Sequence, residues 1–140
     1  MSATVTAPTA TTSSVPTVGA LLRDGAGATV LAAVATAAVA AAGQAVGFSL
    51  DVAGQAIPVS GFATLTVIFS VIGLLIAVGL RRFARRPRTT WIRTTVALTV
   101  LSLVPDVLAD AATSTKVLLM VTHLVAAAIV IPAVARRLRA

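Results

Sequence analysis

The chain has 140 residues, of which 58% are hydrophobic and 11% charged, with eleven Lys or Arg against four acids and no cysteine. A soluble domain of this size carries about 25% charged residues to hydrate its surface, so the composition excludes an ordinary water-soluble fold and points to lipid as solvent. Without Cys, disulfides, thiolate metal sites and thiol nucleophiles are excluded as well.

Residues 1–22 hold Thr, Ser, Ala and Pro with no charged side chain. Such a segment has nothing with which to build a core, and a disordered cytoplasmic tail is expected. Residues 23–140 then read as one four-helix transmembrane domain, with spans at about 26–47, 60–80, 91–109 and 116–135. Each block is near the ~20 residues that cross a ~30 Å hydrocarbon layer. Helices are required because lipid offers backbone groups no partners, and a closed β-barrel would show alternation instead. The expected fold is therefore an all-α membrane bundle. A rival reading treats Arg23, the first apolar run and the small residues of AVAAAGQA as a cleaved signal peptide. The run is too long for the ~7–15-residue core of such a peptide, and an uncharged tail precedes it.

Between the first two spans, FSLDVAGQAIPVSGF places SLDV and QAIP on either side of Ala53-Gly54. Glycine adopts the positive φ of a tight turn, which favours a short external β-hairpin with Pro58 at its edge. An irregular interfacial loop is the alternative, since an isolated hairpin is marginal in water.

The next connection, RRFARRPRTTWIR, carries Arg81, Arg82, Arg85, Arg86, Arg88 and Arg93 and no acid. Together with Arg23, Arg136, Arg137 and Arg139 it puts ten basic residues on one side of the spans, against Lys116 alone on the other. That bias predicts both termini in the cytoplasm and a multi-pass cell-membrane location. Trp91 is read as an aromatic marker of the inner interface. The arginine cluster reads as topology and as a site for anionic lipid, worth ~1 kcal/mol per charge near the surface, rather than as a nucleic-acid footprint.

The pattern GFSLDV, Gly54, Ile57-Pro58 and Gly61-Phe62, the arginine-rich loop, VALTVLSLVPDVLADAATST and MVTHLVAAAIVIPAVARR together resemble a family of small four-span actinobacterial membrane proteins, domain of unknown function family 6069. The resemblance covers about residues 20–138. It implies a membrane location and this topology, and it carries no activity.

In the third span Thr95, Thr99, Ser102 and Asp106 share one helical face. Matching stripes run through Ala63, Thr66, Ser70, Gly73 and Ala77 in the second span, and through Thr29, Thr36, Ala40, Gly43 and Gly47 in the first. Small and hydroxyl-bearing faces let helices approach, so a tight bundle is expected; Gly43-x-x-x-Gly47 also fits a self-association face. Asp106 and His123 lie ~5 Å and ~10 Å below the outer boundary at 1.5 Å per residue. Their side chains lean toward one another, because the third and fourth helices run in opposite directions. The bland readings are a hydrated headgroup-zone aspartate and a neutral imidazole bonded to a carbonyl or hydroxyl. The functional reading is a proton-sensitive intramembrane pair.

One His and no Glu do not make an ordinary zinc site. Ser102, Asp106 and His123 hold triad residue types, but Ser102 and Asp106 lie one turn apart on one helix and no oxyanion donors are evident. No enzyme activity, metal or cofactor is expected. The leading expectation is an accessory or lipid-associated membrane component, partnered by lipid, by a membrane protein or by its own copies. The alternative is a small proton- or solute-linked transporter that uses Asp106 and His123 as an oligomer.

Overall fold

The computed structural model describes residues 17–138. Four helices follow in order: α1 (Val18–Ala45), α2 (Val59–Phe83), α3 (Pro87–Leu108) and α4 (Thr113–Arg137). All four are long and apolar enough to cross a membrane. A two-residue antiparallel ladder, β1 (Asp51–Val52) and β2 (Gln55–Ala56), lies between α1 and α2.

Helix α1 starts eight residues before the expected span. Thr17 caps it by accepting the Ala20 amide at 3.2 Å, and Leu21 is fully buried. Residues 17–22 therefore belong to the bundle rather than to a disordered tail, because Leu21 finds a core to enter. Residues 1–16 of that tail, and Arg139, lie outside the described residues. At its other end α1 stops at Ala45, two residues before Gly47, where φ is 88°. The Phe48 amide bonds the Gly43 carbonyl at 2.9 Å and the Gly47 amide bonds that of Gln44 at 3.0 Å, so two end carbonyls are satisfied as a left-handed cap requires.

This cap alters the reading of Gly43-x-x-x-Gly47. Gly47 is past the helix, and a Cβ on Gly43 would come within 2.9 Å of the Leu118 side chain. The close approach serves α1 against α4 inside the bundle, not an outer self-association face.

The hairpin forms as expected around Ala53 (φ 51°) and Gly54 (φ 74°), with Asp51 opposite Ala56 and Val52 opposite Gln55. Two central residues at positive φ suit the twist of a two-residue hairpin. Pro58 is not at its edge; it is the N-cap of α2, a place where a missing N–H costs nothing.

Helix α1 is the central element, packed against α4 and α2, while α3 leans chiefly on α4. Its small stripe is inside: Thr29, Thr36, Ala40 and Gly43 are buried. One core cluster joins Leu21, Ala32, Leu74, Trp91 and Val134; another joins Ala40, Leu50, Phe62 and Leu118. The α1–α2 and α3–α4 connections meet at one end, where the Ala53 amide donates to the Asp110 carbonyl at 2.7 Å and the Thr115 hydroxyl donates to the Ser49 carbonyl. The opposite end carries the arginine loop and the pair Asp24–Arg137.

Candidate functional site

Helices α2 and α3 do not close against each other as tightly as their stripes suggest. They part around a cavity of about 340 Å³, whose walls come from α2, α3 and α4. The expected stripe Thr95, Thr99 and Ser102 faces this cavity, opposite Thr66 and Ser70, while the fourth-helix wall brings Thr122 and His123. The volume falls in the range of small-molecule sites, ~300–1,000 Å³. The walls are otherwise apolar, and Leu65, Phe69 and Leu98 on its rim are 52%, 65% and 48% exposed. Side chains of that kind at a helix surface belong against acyl chains, so the mouth opens sideways between the helices.

Trp91 forms part of the cavity wall as well. It is 1% exposed, its ring lies 3.5 Å from the place a Cβ would take on Gly73, and Nε1 donates to the Ile131 carbonyl at 3.1 Å. The indole thus points into the bundle instead of marking an interface. A buried Trp needs a partner for its N–H, and the α4 backbone supplies one.

Asp106 and His123 come together. Nδ1 of His123 lies 2.8 Å from Oδ2 of Asp106 and 2.9 Å from the Leu119 carbonyl oxygen. A carbonyl only accepts, so Nδ1 carries the hydrogen and aims it at Leu119. The carboxylate oxygen is close to the ring nitrogen but off its N–H axis, and it is left without an aligned hydrogen bond. Asp106 is 7% exposed, which replaces the hydrated, headgroup-level aspartate with a buried one. The cost of that burial is reduced by the imidazole at its side. Helix α3 continues through Pro105 to Leu108, so Asp106 stays on the helical face that turns toward α4.

Arg85 and Arg86 in the connection, Arg81 and Arg82 at the end of α2, and Arg88 and Arg93 in the first turns of α3 have no ion pair among the described residues. The contact that sequence reasoning missed is nearby. Asp24 Oδ2 accepts from Arg137 Nε at 2.6 Å and lies 2.5 Å from its Nη2, tying the start of α1 to the end of α4. The signal was present as an acid beside a basic terminus, but their meeting depends on α1 and α4 being neighbours. No group of three or more His, Cys, Asp or Glu side chains that would hold a metal ion occurs among the described residues.

Four membrane-span-like helices, three of which wall a cavity, with a buried Asp–His contact, define the class: a small helical membrane-bundle protein. Residues 16–140 match the family described as "Family of unknown function (DUF6069)", and the chain belongs to that family. No curated protein and no solved structure matches it.

Proposed function

We propose that this protein is a non-catalytic, multi-pass component of the cell membrane that associates with a lipid-soluble molecule through the cavity between α2, α3 and α4. The observation that carries this reading is the sideways mouth framed by Leu65, Phe69 and Leu98, which gives access from hydrocarbon rather than from water. The unpaired arginines of residues 81–93 support the rest: both termini in the cytoplasm, with anionic headgroups gathered at that end. Nucleic acid is not a partner in this reading. Copies of the chain or another membrane protein are.

Purification in mild detergent followed by mass spectrometry of the organic extract tests it. The wild-type chain is expected to carry a lipid-soluble molecule in near-stoichiometric amount, and Thr99→Phe, which fills the cavity, is expected to lose it. Equal recovery from both would defeat the proposal. Orientation is tested separately on this cysteine-free chain: Gly54→Cys should label from outside the cell and Arg85→Cys should not.

A second reading is favoured by one observation, the 2.8 Å contact of Asp106 with His123 beside the cavity. An oligomer using this pair would move protons or a solute. Flux in liposomes that is abolished by Asp106→Asn and by His123→Ala would favour it over the first reading.

A further inference from the structure

The hydroxyls that line the cavity have already spent their hydrogens. Thr95 donates to the Trp91 carbonyl at 2.8 Å, Thr99 to Thr95 at 2.8 Å, Ser102 to Thr99 at 2.7 Å, Thr122 to Leu119 at 2.7 Å, and Thr66 to Phe62 at 2.7 Å. Each of these acceptors is a backbone carbonyl, which has no hydrogen to give, so the direction of these bonds is fixed; Thr66 also meets the Thr36 hydroxyl at 3.0 Å, where either oxygen can donate. The Trp91 N–H is used on Ile131. The His123 Nδ1 is engaged with the Leu119 carbonyl at 2.9 Å. Ser70 is the exception, with a hydroxyl that makes no hydrogen bond among the described residues. The lining therefore presents hydroxyl oxygen lone pairs on three helices and, at Ser70, one free donor.

Two consequences follow from elementary chemistry. A ligand group that only accepts, such as an ether, ester carbonyl or carboxylate, finds one partner at most, on Ser70 of α2, and elsewhere meets lone pairs with lone pairs and gives up its water for nothing. A hydroxyl or an ammonium meets acceptors in a low-dielectric setting, where such bonds are strong. Asp106 Oδ2, 2.8 Å from His123 Nδ1, is buried beside this wall without an aligned donor and does not itself line the cavity.

We propose that the cavity selects a single-chain amphiphile whose head is a hydrogen-bond donor, an alcohol or a primary amine, seated with its hydrogens on Thr95, Thr99 and Ser102 and its tail leaving past Leu65 and Phe69. This deepens the proposed function and rests on the cavity being a binding site.

The test uses the full chain in nanodiscs of neutral lipid, with Trp91, the one tryptophan of the sequence, as reporter from the cavity wall. The probes are tail-matched: 1-decanol, decylamine, decyl methyl ether and decanoate, each corrected for partition into empty nanodiscs. Decanol and decylamine should bind about five-fold or more tightly than the ether, the scale of one net hydrogen bond. Decanoate should bind weakest. The Thr99→Val, Ser102→Ala double variant should bring decanol and the ether to within about two-fold of each other while keeping the ether's own affinity. That split is a readout a merely structural loss would not give. Tight but equal binding of decanol and ether, or preference for decanoate, would overturn the donor-head proposal and leave the cavity as a site. No binding of any of the four probes would overturn both.

Discussion

Asp24, in the second turn of α1, holds Arg137, the last residue of α4, at 2.6 Å across 113 positions of chain. The contact closes the two ends of the described bundle on each other. It also neutralises a basic side chain at the arginine-rich end, so the positive charge there is carried mainly by the arginines of residues 81–93. Arg23 makes a looser approach to the other oxygen of Asp24, at 3.7 Å.

Because both partners of the Asp24–Arg137 pair are reached by water, its stabilising effect should be modest and salt-sensitive. Asp24→Asn is expected to lower Tm in detergent at low ionic strength, with the difference shrinking in ~1 M salt. Thermal unfolding at the two salt concentrations checks this. A deficit independent of salt would mean that the side chain acts by packing.

Gly25 and Gly27 differ by two residues and should respond oppositely to alanine. A Cβ on Gly25 meets three atoms of Leu74, including Cγ at 3.3 Å, whereas a Cβ on Gly27 meets nothing within 4 Å. Gly25→Ala is therefore expected to destabilise by ~1–3 kcal/mol, as overpacking does. Gly27→Ala should be neutral or stabilise by up to ~1 kcal/mol through helix propensity. Equilibrium unfolding of both variants in one detergent decides it.

His123→Ala removes an imidazole that bonds the Leu119 carbonyl and lies against Asp106, so it should cost about 1 kcal/mol, the net worth of one hydrogen bond. Asp106→Asn keeps the shape and removes the charge, and should cost less. The double variant should be no worse than His123→Ala, giving a coupling that a double-mutant cycle measures directly. Strict additivity would show that the 2.8 Å approach contributes nothing to stability.

Ala53 sits at φ 51°, where its Cβ crowds the following carbonyl. Ala53→Gly is expected to stabilise by up to ~1 kcal/mol while its amide keeps the bond to the Asp110 carbonyl. Hydrogen exchange at residues 51–56 should slow in the variant; faster exchange would contradict the argument.

The spans were legible because lipid imposes a length on apolar blocks, and the hairpin was legible because Ala53-Gly54 interrupts two short extended runs. Thr17 and Leu21 went unread as helix because the uncharged segment around them looks like a tail until a core is available to Leu21. Trp91 at an arginine-rich end fits an interface or an interior equally, and only the carbonyl of Ile131 distinguishes them. The face shared by Thr95, Thr99 and Ser102 followed from helical spacing. That it borders a cavity did not, since the distance between α2 and α3 is set by Trp91 wedged beside Gly73 and by how both helices sit on their neighbours. The Asp106–His123 approach was foreseeable from opposed helix directions, whereas its depth of burial required the packing.

Only residues 84–86 separate α2 from α3, and the Ala84 amide still bonds back to Leu80 at 2.8 Å while Pro87 opens the next helix at once. Two rods joined by so short a strap spread like tweezers, with the pivot at the arginines and the tips at the hairpin. Any widening that admits a bulkier guest must then grow toward the end where the Ala53–Asp110 backbone bond and the Thr115–Ser49 bond join the two connections, making those two bonds the clasp of the pair.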